Sequence, residues 1–331
     1  MSHTYGSEAA FAGFVKILGR GPGRSRALTR EEAREAFGIV LRGEADPHQI
    51  GAFLMLLRFR GEDADEITGM VEAARDVSGI GGPGMGVALD WPSYGAGRTR
   101  GAPWFLLSAL ALARSGFTVL MHGTNQFSGG IPVEAGLAAL GMAPCAGVGQ
   151  ARDAVRTSGF AYLPIASMAP AMASLLGLRR LFGLRSPVNT VARLLNPADA
   201  PAGVDGVFHP AYIEVHLGVA ERMRRSRLLV LKGGGGEAER VPLKPSAAHV
   251  WSSERGRIEM LLPAQPGLEP LEPRAETPEF LAAIWRGEAE PPTPLATVVA
   301  TVALGLLAIG RVDSPETAQS AALEIWRRRF G

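Results

Sequence analysis

The sequence predicts an α/β protein in two parts: a small helical N-terminal unit, then a larger, mainly parallel sheet covered by helices. Three observations predict it. Three helix-start signals in a row, each followed by apolar residues at helical spacing, fill residues 29–78. A breaker cluster, Gly79-Ile80-Gly81-Gly82-Pro83-Gly84, ends that rhythm. Beyond it, short β-like runs at 87–90, 118–121 and 228–231 alternate with helical stretches such as 103–114 and 133–140, the pattern of a parallel sheet with crossover helices.

In order, residues 9–18 allow a short helix, and Gly19-Arg20-Gly21-Pro22-Gly23-Arg24-Ser25-Arg26 is a glycine and arginine connector. It is either simply solvated or steers a polyanion toward the body. Thr29-Arg30-Glu31-Glu32 is a capping box, in which hydroxyl and carboxylate satisfy first-turn amides, ahead of Phe37, Val40 and Leu41. Asp46 caps a helix with Pro47 at its first position and Ile50, Phe53, Leu54 and Leu57 on one face. Asp63 opens the third, with Ile67, Met70, Val71 and Ala74 pointing inward.

The next stretch organises the chain. A strand into Asp90 leads to the loop Pro92-Ser93-Tyr94-Gly95-Ala96-Gly97-Arg98-Thr99-Arg100-Gly101, and a second strand leads to His122-Gly123-Thr124-Asn125. Both turns lie beyond the carboxyl ends of strands, where ligands bind in such folds. A glycine loop running into a helix brings backbone amides to an anion. Gly95, Gly97, Arg98, His122, Gly123 and Asn125 are therefore the candidate phosphate-binding residues. The loop lacks the G-x-G-x-x-G fingerprint and the Gly-Lys-Ser/Thr ending, so it implies an anion without identifying it.

Residues 164–195 read as helix, and a helix from Pro210 carries Tyr212, Val215, Val219 and Met223 as its inward stripe. After Lys232 come four glycines, which permit close backbone approach, and then Glu237-Ala238-Glu239, two carboxylates at a spacing that suits Mg²⁺ if they lie on a strand. The uncharged run 295–310 is shorter than the ~20 residues of a spanning helix and reads as a buried one.

The 34 basic residues comprise 31 arginines and 3 lysines, for a net charge of only +2. Between Arg179 and Lys232, nine basic residues face four acids, so the positive charge is concentrated there. Arg179, Arg180, Arg185, Arg193, Arg222, Arg224, Arg225 and Lys232 are the candidate polyanion contacts, since guanidinium groups suit bidentate phosphate binding. Two plainer readings stand beside that one: a solvated face, or last-turn arginines that stabilise the helix dipole by ~0.3–1 kcal/mol each. One cysteine, Cys145, excludes an internal disulfide framework, reads as a core residue and fits a cytoplasmic setting. Residues 1–13 show no secretory signal pattern.

The order of the pieces resembles the anthranilate phosphoribosyltransferase family, with its nucleoside-phosphorylase-like glycosyltransferase fold. The resemblance rests on Leu28-Thr29-Arg30-Glu31-Glu32-Ala33, Asp46-Pro47-His48-Gln49-Ile50-Gly51-Ala52-Phe53-Leu54, His122-Gly123, Arg185 followed by Asn196-Pro197, and Gly206-Val207-Phe208-His209-Pro210. It implies a helical domain over 1–82, joined by helices from about 164–195, packed on an α/β domain over 83–331, and a homodimer through the helical domain. Several positions depart from the family's pattern. Ser93-Tyr94-Gly95-Ala96-Gly97-Arg98 stands where the family has Gly-Thr-Gly-Gly-Asp-Gly for phosphoribosyl pyrophosphate. Pro103-Trp104-Phe105-Leu106-Leu107 replaces the Asn-x-Ser-Thr motif, and Met121 takes the place of a lysine. The family's metal-binding Asp-Glu pair falls on Ala238 and Glu239.

Those departures resemble a non-catalytic branch that binds nucleic acid, preferentially single-stranded. The expectation is a sequence-independent, single-stranded nucleic-acid-binding homodimer with degenerate phosphoribosyl pyrophosphate and Mg²⁺ sites, no catalytic residue, no cofactor and no membrane partner. Trp104, Phe105, Phe182 and Phe208 are candidate stacking surfaces as well as candidate core. The alternative is an active phosphoribosyl transferase with an unknown acceptor, using Gly95, Gly97 and Arg98 for phosphate, and Glu237 and Glu239 for Mg²⁺.

Overall fold

The computed structural model describes residues 4–82, 84–95, 98–270, 272 and 276–330. Four helices come first: α1 (Thr4–Gly19), α2 (Arg30–Leu41), α3 (Pro47–Arg60) and α4 (Ala64–Ser78). Helices α2, α3 and α4 each start on a complete capping box, at Thr29, Asp46 and Asp63, so local chemistry alone defines where they begin.

The α/β body follows: β1 (Leu89–Ser93), α5 (Trp104–Arg114), β2 (Val119–Gly123), α6 (Val133–Ala139), α7 (Val148–Ser158) and β3 (Phe160–Pro164). Residues 164–195, expected as one helical stretch, form four short helices: α8 (Ile165–Met168), α9 (Pro170–Gly177), α10 (Arg179–Phe182) and α11 (Val188–Arg193). Pro170, Gly183 and Pro187 impose the breaks, and α11 returns to pack on α4 of the helical domain. The chain ends with β4 (Ala202–Val207), α12 (Tyr212–Arg222), β5 (Arg227–Lys232), β6 (Ser246–Ser252), β7 (Gly256–Leu262), α13 (Pro278–Arg286), α14 (Pro292–Ile309) and α15 (Pro315–Arg327).

One sheet has the order β3-β2-β1-β4-β5-β6-β7, parallel through β5 and antiparallel for β6 and β7. The chain builds outward from β1 to β3, then crosses back to start β4 on the other side of β1. That reversal makes the β1/β4 boundary the switch point where open α/β sheets place their ligands. The ladder between β1 and β4 covers only Leu89↔Ala202 and Asp90↔Gly203, so the two chains part beyond it. This also explains Pro92 inside β1, where a loop was expected: it pairs with β2 through His122, and past Asp90 no β4 acceptor needs its missing N–H.

Strand alternation divides the core. Val119, Met121, Phe160, Tyr162, Leu229 and Leu231 face α5, α13, α14 and α15, while Leu120, Ala161, Leu163, Leu228 and Val230 face α12 and the helical domain. The apolar run at 295–310 is α14, buried against α5 and β4, and Cys145 is a buried core residue. On α12 Val219 of the expected stripe is fully buried, while Tyr212, Val215 and Met223 are only partly covered and Ile213, His216, Leu217 and Ala220 complete the buried side. Because α12 is sandwiched between the sheet and α4, apolar residues on both of its flanks find cover. Asp65 of α4 and Arg222 of α12 pair at 2.6 Å across the two domains.

Candidate functional site

The loop after β1 is closed by the chain's own carboxylates. Glu237 Oε1 accepts the Gly95 amide, Glu276 Oε2 accepts the Ala102 amide, and Glu239 Oε2 accepts the Phe105 amide at 3.0 Å in the first turn of α5. These are amides that an external phosphate would require. The four-glycine run makes the closure possible, but its close approach is to protein, not ligand: a Cβ on Gly235 would lie 2.6 Å from Arg98 Cα. Arg98 is 8% exposed, with its guanidinium over the Phe105 ring at 5.6 Å. Burial pushes Glu239 up to about 7 and raises Glu237 and Glu276 as well, against the opposing charge of Arg98. Arg98, Arg100, Glu239 and Glu276 border a cavity of ≈410 Å³, two arginines against two glutamates among the described residues.

The other phosphate candidates are absorbed into structure. His122 is fully buried, its Nδ1 3.0 Å from the Tyr94 hydroxyl and its Nε2 3.2 Å from Asp90. A Cβ on Gly123 would sit 1.7 Å from Ser93 O, so this glycine serves strand packing. Asn125 accepts the Val133 amide at 3.3 Å and caps α6. Gly97 lies outside the described residues. The residues present do not fit the Mg²⁺ that the family's chemistry implies. Ala238 replaces one ligand, Glu237 and Glu239 are committed to amides, and no group of three His, Cys, Asp or Glu is placed to hold a metal among the described residues.

Beside it, at the carboxyl end of β4, lies a pocket of ≈310 Å³ between the domains. Its lining includes Arg58 from α3, Arg179 from α10, Arg185, Arg193 from α11, and Phe208, His209 and Tyr212 from the turn into α12, with no carboxylate among the described lining residues. Burial and the neighbouring guanidinium groups of Arg179, Arg193 and Arg58 pull the Arg185 pKa below its ordinary value. Arginine stays protonated regardless, so the shift reports like charges held together. Aromatic faces help hold them: Arg185 lies over Phe208 at 5.1 Å, and Arg179 and Arg180 over Phe127 at 5.0 and 6.0 Å. Arg193 is paired with buried Asp205 at 3.1 Å. Burial alone would raise Asp205, but His216 at 2.7 Å and Arg193 hold it below the usual carboxylate value. The Tyr212 hydroxyl accepts from Arg58 at 2.8 Å and donates to Glu62 at 3.1 Å, joining α12 to the end of α3.

The eight basic residues named as candidate polyanion contacts do not all meet at one site. Arg179, Arg185 and Arg193 line the pocket, and Arg180 sits at its edge over Phe127. Arg222 is tied to Asp65, and Arg225 is buried, donating to Leu194 O and lying 3.9 Å from Asp90. Arg224 and Lys232 are exposed and line neither cavity. The helix-dipole reading fits Arg227, which donates to the Leu307 and Ala308 carbonyls at the end of α14. Of the candidate stacking residues, Trp104 and Phe105 are core and Phe182 packs near Gly51, whereas Phe208 is 41% exposed in the pocket. Sequence reasoning passed over Arg58, Phe127, Glu276 and the polar residues Ser186, Asn189 and Thr190, whose spacing with Arg193 repeats a helical face.

Residues 14–78 match the model of the glycosyl transferase family, helical bundle domain, and residues 105–328 that of the glycosyl transferase family, a/b domain. The chain is 29% identical over 311 residues to an anthranilate phosphoribosyltransferase of Serratia proteamaculans, covering 90% of this chain and 91% of that one. It is also 29% identical over 205 residues to the uncharacterized protein YbiB of Escherichia coli, covering 60% of this chain and 63% of that one. Anthranilate phosphoribosyltransferase of Thermus thermophilus has the same fold, with a TM-score of 0.76 at 24% identity over 97% of this chain and 95% of that structure. With both domain models matched in their order along it, the chain belongs to this phosphoribosyltransferase-like glycosyl transferase family.

Proposed function

We propose that the protein is a non-catalytic member of this family that binds single-stranded nucleic acid at the arginine pocket. One observation carries the reading: the Gly95, Ala102 and Phe105 amides at the former phosphate loop are held by Glu237, Glu276 and Glu239, while the adjacent pocket gathers Arg58, Arg179, Arg185 and Arg193 with no carboxylate among the described lining residues. Catalysis of phosphoribosyl transfer needs diphosphate charge neutralised and positioned, and among the described residues the Gly95, Ala102 and Phe105 amides are already taken and no group of three metal-ligating side chains is placed for that. Clustered guanidinium groups beside aromatic faces suit a phosphate backbone with unpaired bases. Titration of a labelled single-stranded oligonucleotide at two salt concentrations tests it; absence of any complex at low salt rejects the reading.

A second reading, an active phosphoribosyl transferase, draws on the relatives named anthranilate phosphoribosyltransferase. Consumption of phosphoribosyl pyrophosphate with Mg²⁺ and a panel of aromatic amines decides between them. Turnover that disappears in Glu239→Ala establishes the second reading and removes the first.

A further inference from the structure

We infer that the pocket is a nucleotide subsite: it takes one unstacked base of the bound strand, laid against Phe208 and met at its edge by Asn189, Ser186 and Thr190. The inference rests on the single-strand reading above and adds what that reading leaves out, a contact to the base itself.

The argument starts from α11. Ser186 opens its first turn, with the Asn189 amide donating to Ser186 O at 3.1 Å, and Asn189, Thr190 and Arg193 follow at the +3, +4 and +7 positions. Residues so spaced share one face of a helix. The other face carries Val188, Val191 and Ala192, all buried in the core. With that face buried, the polar groups on the remaining side of the short helix are presented to the pocket. Ser186 and Thr190 are 8% and 6% exposed, yet neither of these hydroxyls, nor the Asn189 amide group, has a side-chain hydrogen bond among the described residues. All three line the ≈310 Å³ pocket, a volume at the small end for organic ligands.

Across from them stands Phe208, whose exposed ring already carries the Arg185 guanidinium at 5.1 Å. An aromatic face and hydrogen-bonding groups lining the same pocket are the two features a planar heterocycle with donor and acceptor edges requires. A simple carboxylate or inorganic phosphate would use the arginines and leave both features idle. Asparagine supplies donor and acceptor from one group and so matches the edge of a base.

The test compares a short single-stranded oligonucleotide with an abasic strand of equal length and charge, by fluorescence anisotropy on the full chain. The base-bearing strand binds roughly tenfold more tightly. Asn189→Ala removes roughly that factor for the base-bearing strand and leaves abasic-strand binding unchanged, and Phe208→Ala abolishes the difference between the two strands. A variant damaged in its fold instead weakens both strands together, and thermal unfolding of each variant identifies that case; Phe208→Tyr, which keeps a stacking face, then restores the difference between strands. Equal affinity of wild-type protein for the two strands overturns the inference while leaving the single-strand reading intact. Failure of either strand to bind removes that reading itself.

Discussion

The loop after β1 and the pocket beside α11 stand at the ends of neighbouring strands and treat charge in opposite ways. In the loop, glutamates from the segment after β5 and from the approach to α13 fold back onto the amides, with Arg98 among them. Its charges are balanced from within. In the pocket four arginines crowd so closely that Arg185 registers the others, while Arg193 pairs with buried Asp205 and Arg58 reaches buried Glu62 through Tyr212. The lesson is that a glycine motif resembling a known cradle says little until the side chains that reach its amides are placed.

The sharpest way to break this comparison is salt. If the four pocket arginines meet phosphates, raising salt from about 50 mM to about 200 mM weakens oligonucleotide binding on the order of 100-fold. A flat response in an anisotropy titration would mean that the crowded guanidinium groups are not the binding surface.

On the loop side, pH is the lever. Glu239 is raised by burial to about 7, from a usual value of about 4.3. The folded protein therefore keeps a proton that the unfolded chain has released, so the contribution is fully present below about pH 4.3 and is lost as pH rises through about 7. Urea unfolding at pH 5 and pH 8 yields about 2 kcal/mol less stability at the higher pH from this group. Glu239→Gln, which still accepts the Phe105 amide, narrows the difference; an unchanged pH dependence would contradict the self-capped loop.

Arg185→Ala comes next, costing about tenfold in affinity and lowering the salt slope by about one. Arg222→Ala gives the smallest effect: stability falls by less than ~1 kcal/mol, as for a partly exposed pair, and oligonucleotide affinity stays the same. Equal losses from Arg185 and Arg222 would mean that the basic residues between Arg179 and Lys232 act as one surface rather than through the pocket.

Much of the fold was legible because its signals are local. Thr29, Asp46 and Asp63 announce their helices through groups within three residues, and the change of rhythm after Gly79 marks the passage to the sheet. The site was less legible because its decisive contacts join distant residues. Nothing near Gly95 says that Glu237 reaches its amide, and nothing near Arg222 says that Asp65 lies opposite. Charge counting put Arg179, Arg185 and Arg193 in one stretch but could not separate Arg185, which lines the pocket, from Arg225, spent on Leu194 O and Asp90. The polar face of α11 was readable in principle from its spacing, but Pro187 and the break at Gly183 disguised where its helix begins.

The Tyr212 hydroxyl works as the rivet of a clamshell. Arg58 brings one shell to it and α12 the other, while Glu62, deeply buried and with its second oxygen unmatched among the described residues, depends on that same hydroxyl. Removing one oxygen atom, as in Tyr212→Phe, would free Arg58 to swing and strand Glu62 together. The width of the jaw and the solvation of its hinge are thus governed by one phenol.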